Sequence, residues 1–129
     1  MFARSAPAVS LFLIFILAVS SGCRRGSKAS PTDPEKARAT LRQGLDAWKS
    51  GQTPESIESS ASIIFVDPQW KKGMKLVKYE IVGDGQAYGH DWQCKVKLTV
   101  KDDRGEKTAN AVYNISTAPK LLVARSDMR

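Results

Sequence analysis

Hydrophobic residues change their spacing part-way along this chain, and that change narrows the possible folds more than any other feature. Between Asp33 and Gly51, Ala37, Leu41, Leu45 and Trp48 recur at intervals of four, four and three. Such a spacing lines one face of an α-helix. From Trp92 to Lys101 the pattern is strictly alternate: Trp92, Cys94, Val96, Leu98 and Val100 against Gln93, Lys95, Lys97, Thr99 and Lys101. This is a strand with one dry and one wet face. A helix stripe of Leu41, Leu45 and Trp48 needs an apolar surface to cover, and the Cys94–Val100 face supplies one. The chain therefore reads as α+β, with a helix laid on one face of an antiparallel sheet.

Local signals divide the domain further. Asp33 suits a helix N-cap, Pro34 the first turn, and Glu35 the positive end of the dipole. Gly51 suits the stop. Thr53-Pro54-Glu55 repeats the cap-proline-acid signal and predicts a short second helix through about Ser59. Ile63 to Val66 favours an extended segment, closed by the turn chemistry of Asp67-Pro68. Val77, Tyr79 and Ile81 alternate with Lys78 and Glu80, and Gly83-Asp84-Gly85 reads as the turn that follows. Asp102-Asp103-Arg104-Gly105 reads as a four-residue hairpin connection. Ala109, Ala111, Tyr113 and Ile115 alternate next, Ala118-Pro119 breaks the run, and Leu121 to Arg125 forms a last strand. The expectation is a long helix, a short helix and a meander of roughly four antiparallel strands.

Before this domain lies a different kind of sequence. Leu11 to Val19 is nine apolar residues without a break, behind a single arginine, Arg4. A spanning helix needs about 20 apolar residues, so the run fits the core of a secretory signal better than an uncleaved anchor or a buried helix. Ser20-Ser21-Gly22-Cys23 follows. It resembles the lipobox of bacterial lipoproteins, where small residues precede a cysteine that takes a diacylglycerol and becomes residue one. That pattern carries leucine three places before the cysteine, where Ser20 stands here. Residues 1–22 are thus read as a signal peptide with a lipobox-like end. Cys23 is the expected lipidation site, and two or three acyl chains would anchor it stably. Residues 23–32, with Arg24, Arg25 and Lys28 among glycine, serine and proline, read as a flexible basic tether. Residues 33–129 read as a single domain. The implied location is extracytoplasmic, anchored in a bacterial cell envelope. Cys94 is the only other cysteine. A Cys23–Cys94 disulfide is the alternative to acylation, but Cys94 sits on the dry face of a strand, where it reads as a small buried apolar residue.

A second resemblance lies inside the domain. "GLDAWKSGQTPESI" followed by "SIIFVDPQW" is similar to the opening of nuclear transport factor two-like domains, whose members include cyclase-like enzymes. The closing "EKTANAVYNIS" and "KLLVARSD", ending in Arg-x-Asp, resemble their last strands. The chain lacks the length for that family's third helix and extra hairpin, so a reduced, cystatin-like helix and sheet is expected. The resemblance implies a curved sheet, a pocket beneath the helix and, in the enzymes, a carboxylate-based acid/base pair in that pocket. His90 with Asp67 or Asp84 could fill that role.

Read from the residues alone, the chemistry is sparse. The domain has one histidine and one cysteine, too few for a His/Cys zinc site. His90 and Asp91 are strand neighbours and point to opposite faces. No nucleophile elbow or glycine-rich phosphate loop is present, and Asp102-Asp103 is too short for a calcium loop. No cofactor is implied. The net charge of +7 is concentrated in lysines. Lys71, Lys72, Lys75 and Lys78, with Lys95, Lys97 and Lys101, form a candidate basic surface for an acidic envelope component. The same lysines also suit a solvated sheet face that discourages edge pairing. Export argues against nucleic acid as the partner. Two functional classes remain: a lipid-anchored accessory or binding domain without catalysis, and a small cyclase-like or isomerase-like enzyme using His90 and a pocket carboxylate.

Overall fold

A computed structural model describes residues 32–128. The expected signal peptide, Cys23 and the expected tether as far as Pro31 lie outside the described residues. Within them the class is α+β, with N-terminal helices packed on a five-stranded open sheet.

Helix α1 spans Pro34–Lys49. Asp33 caps it by accepting from the Glu35 N–H at 3.1 Å. Its buried face holds Ala37, Leu41, Leu45 and Trp48, joined by Thr40, Gly44 and Ala47. Gly44 is explained by a close approach: a Cβ there would lie 2.3 Å from the Phe65 ring. A mid-helix glycine costs about 1 kcal/mol relative to alanine, and here it lets an aromatic ring rest on the helix backbone. Helix α2 spans Pro54–Ala61, capped by Thr53, and ends at Ser62 with φ of 57°.

The expectation of four strands is corrected to five. The extra strand is β1, Ile63–Val66, which pairs parallel with β5, Leu121–Arg125. Strands β2 (Lys75–Tyr88), β3 (Asp91–Asp102) and β4 (Gly105–Ser116) complete the order β1-β5-β4-β3-β2. Only the β1–β5 pair is parallel, and the other three neighbouring pairs are antiparallel. Val123 and Ile63 show no solvent exposure, so this added edge shares the core with Leu41, Leu45, Val96 and Leu98.

Three turn assignments shift. Gly83-Asp84-Gly85 does not end its strand. These three residues lie opposite Cys94 alone, between the Val82–Lys95 and Gln86–Gln93 pairs, and so form an enlarged bulge. The bulge has a use, since the Asp84 carbonyl accepts from Arg38 Nη1 of α1 and from Trp92 Nε1, both at 2.9 Å. The turn itself comes later, at Gly89-His90, a two-residue loop with glycine first and a φ of 63°. The next hairpin is tighter than expected: Asp102 pairs with Gly105, leaving only Asp103 and Arg104 in the loop. Asp67-Pro68 likewise opens a short helix, α3 (Pro68–Lys71), instead of a plain turn, with Asp67 as its cap.

Candidate functional site

Asp67, Asp84 and His90 do not converge. His90 sits exposed in the β2–β3 turn, and its carbonyl accepts from the Thr32 N–H at 3.0 Å. Asp84 belongs to the bulge of the same hairpin, which forms one edge of the sheet. Asp67 follows β1, the opposite edge. Asp67 follows the Val66–Ala124 pair and so lies level with Arg125, Tyr113 and Cys94, and the strands β5, β4 and β3 separate it from the bulge and the β2–β3 turn.

What surrounds Asp67 is a buried polar centre built from both ends of the sequence. Its Oδ1 accepts from the backbone N–H groups of Gln69 (2.8 Å) and Trp70 (3.4 Å). Its Oδ2 accepts from the Tyr113 hydroxyl. Arg125 Nη1 lies 3.5 Å from both carboxylate oxygens and also donates to the Gln69 side chain. The Arg125 and Asp67 side chains are 3% and 0% exposed, so the pair is withdrawn from water. On its other side Arg125 donates from Nε to Asp127 at 2.9 Å. Asp127 Oδ1 also accepts from the Val112 N–H at 3.0 Å, which prolongs the β4–β5 ladder after β5 ends. Burial and the adjoining Asp67 charge hold the Tyr113 phenol far above its usual range. Burial alone would raise the Asp127 carboxyl, but the Arg125 and Val112 hydrogen bonds outweigh it and hold the group below its ordinary value. For Arg125, likewise, burial would favour the neutral form, and the Asp127 and Asp67 carboxylates outweigh it in favour of the cation. Each charge therefore has partners, as buried charge requires. The centre joins two motifs noticed separately in the sequence, Asp67-Pro68 as a turn and part of a resemblance, and Arg125-x-Asp127 for a resemblance alone. No local pattern could reveal that they touch.

An aromatic ladder leads from this centre to the end of α1. Tyr113 meets Phe65 edge-on at 5.5 Å, Phe65 meets Trp70 edge-on at 5.1 Å, and Trp70 stacks on Trp48 at 5.5 Å. Each indole N–H is used: Trp48 donates to the Met74 carbonyl (2.8 Å) and Trp70 to the Gln52 carbonyl (2.9 Å). These bonds tie down the loop after α1 and the approach to β2.

Between those two segments opens a cleft of about 560 Å³. Trp48, Trp70 and Leu76 contribute its apolar wall. Around it stand Lys49, Lys71, Lys75 and Lys101, with Glu55 the one acid among the lining residues. Lys75 and Lys101 face each other directly in the β2–β3 register. Like charges in that position destabilise a sheet. Glu106 is opposite Lys101 on the far side, yet the ion pairs among the described residues are Arg38–Glu35, Arg125–Asp67 and Arg125–Asp127. None uses a lysine.

The proposed basic surface thus falls into two parts. Lys71 and Lys75 line the cleft, joined by Lys101 and by Lys49, which sequence reading passed over. Lys49 reads as a polar residue on a helix, and nothing local connects it with Lys101. Lys78, Lys95 and Lys97 lie on the solvent face of the sheet, where Glu80 stands opposite Lys97. Lys72 is exposed at the end of α3. Among the described residues no three His, Cys, Asp or Glu side chains are grouped as metal ligands would be. No helix among them is long and apolar enough to cross a membrane.

Comparison with family models, curated proteins and solved structures finds no match. The functional reading therefore rests on the residues themselves.

Proposed function

We propose that the protein is a lipid-anchored accessory or binding domain of a bacterial cell envelope, acting without catalysis through a small cystatin-like domain. The observation that carries this reading is the order of its first 32 residues: an apolar run, Ser-Ser-Gly-Cys, then "RRGSKASPT". Acyl chains on Cys23 hold the protein in the membrane. The nine Cα–Cα steps from Cys23 to Thr32 reach at most about 30 Å, at roughly 3.3–3.6 Å per residue. Arg24, Arg25 and Lys28 then lie close to lipid headgroups, where each adds about 1 kcal/mol of attraction to an anionic surface.

The end of the domain nearest the anchor is the one that holds Thr32, bonded to the β2–β3 turn at His90. The lysine cleft is at the other end of α1, a helix of 16 residues and so about 24 Å long. An anchored domain thus presents the cleft outward, toward an acidic component of the envelope.

Intact-mass analysis of the membrane fraction tests the anchor. The expected species starts at Cys23 and carries acyl mass, and Cys23→Ser moves the protein to the soluble fraction. A soluble wild-type chain cut elsewhere, or an uncut chain, would overturn the proposal.

A further inference from the structure

The lysine cleft gathers charge of one sign with little internal compensation: Glu106 stands opposite Lys101 in the β3–β4 register, yet among the described residues no lysine is in an ion pair. Four lysines are among the residues that line one concavity, two of them opposed across a strand pair, with one glutamate beside them. Elsewhere on the same sheet the lysines are spread over an open face, and one of them, Lys97, stands opposite Glu80. A solvated face needs no concavity, and edge protection needs no lysine on α1. A cleft with charges of one sign and low-dielectric walls concentrates the field and draws counter-ions. Here the Trp48, Trp70 and Leu76 side chains are such walls.

From this arrangement we infer that the cleft bounded by Lys49, Lys71, Lys75 and Lys101 binds the phosphate groups of a polyanion. The chemistry favours phosphate over carboxylate. The charged donors around the cleft are all lysines, with no arginine among the lining residues. A guanidinium fork matches a planar carboxylate in bidentate fashion, whereas ammonium groups act as point charges that suit a tetrahedral oxyanion from several directions. Four such charges in one cleft suit several phosphates at once better than a single one. The two sources of that chemistry are a soluble phosphate chain and a cluster of phospholipid headgroups. This inference deepens the binding half of the proposed function and is independent of the anchor.

The test uses the full chain in non-ionic detergent, titrated with tripolyphosphate and, separately, with vesicles of phosphatidylglycerol or of phosphatidylcholine alone. Binding of tripolyphosphate is expected to weaken at least tenfold in the double variant Lys75→Gln, Lys101→Gln. In Lys95→Gln, Lys97→Gln, which removes the same charge from the open face, it is expected to weaken less than twofold. Circular dichroism confirms that both variants fold. A source in the bilayer appears as phosphatidylglycerol binding that the cleft variant loses and the open-face variant keeps. Equal weakening in the two variants would reduce the effect to overall charge and overturn the cleft. So would the absence of binding to both tripolyphosphate and phosphatidylglycerol. Repeating the tripolyphosphate titration on Cys23→Ser separates the two readings. Binding retained without acylation supports the cleft whatever the state of the anchor, and acylated protein that fails to bind overturns the cleft alone.

Discussion

Asp67 and Lys75 stand eight positions apart in the chain and close opposite kinds of site. Asp67 ends a strand inside the protein, surrounded by donors: two backbone N–H groups, the Tyr113 hydroxyl and the Arg125 guanidinium. Lys75 begins a strand at the surface, facing another lysine. The first region has met the cost of burying charge by pairing every charge it contains. The second has left like charges together where water, salt or a ligand must compensate them. Burial explains the difference. An unpaired charge inside would be prohibitive, whereas an unpaired ammonium at a cleft costs little and remains available. The paired region is therefore read as stabilising the fold, and the unpaired one is the proposed binding cleft.

Substitutions can break this contrast. The largest effect is expected from Asp67→Ala, which leaves the Arg125 cation with Asp127 as its one carboxylate partner and removes the α3 cap. Loss of one partner of a buried pair costs about 3–5 kcal/mol, read from urea unfolding. Asp67→Asn keeps the cap acceptor and should lose less. Tyr113→Phe comes next, since it leaves a buried carboxylate oxygen without its hydroxyl donor while preserving the ring against Phe65. The expected cost is about 1–3 kcal/mol. An unchanged urea midpoint would show that another donor takes over.

Lys75→Glu should act in the opposite direction. It turns the opposed lysine pair into an attractive one and is expected to stabilise the domain by about 0.2–1 kcal/mol at low salt. The gain should fade as salt is added. A loss of stability would mean that Lys75 already has a favourable partner.

The smallest expected effect is in acid. The folded Asp127 carboxyl titrates below its ordinary value of 3.8, so the unfolded chain binds the proton more readily. Its contribution is complete above that ordinary value and is lost as pH falls through the lower, folded one. Urea midpoints between pH 5 and 2 should therefore fall less steeply for Asp127→Asn than for wild type. Parallel slopes would remove Asp127 from the paired centre's account.

Much of the scaffold is legible locally. The α1 stripe, both proline-led helix starts, the dry face of β3 and the bounds of β5 all follow from spacing and capping signals that involve near neighbours in sequence. Glycine was the weaker guide. Gly83 and Gly85 look like a turn, yet the strand continues past them because Arg38 and Trp92 share the bulged carbonyl between them. Gly44 looks like a flaw in a helix until Phe65 is seen resting on it. The polar centre was legible only as fragments. Asp67 reads as a turn residue and Arg125 as the end of a strand, and 58 positions separate them.

The sequence by itself determined the class: a helix-period stripe and a strand-period face that need each other for burial. It also supplied the whole case for the leader, since Ser20 to Cys23 carry their chemistry in their order. Only the tertiary structure decided which charges meet. Parallel pairing of β1 with β5 brings Asp67 to Arg125, and the end of α1 brings Lys49 to Lys101. Periodicity tells each residue whether to face the core or the water. It carries no information about which distant residue will share that surroundings, and the pairing of charges depends on that.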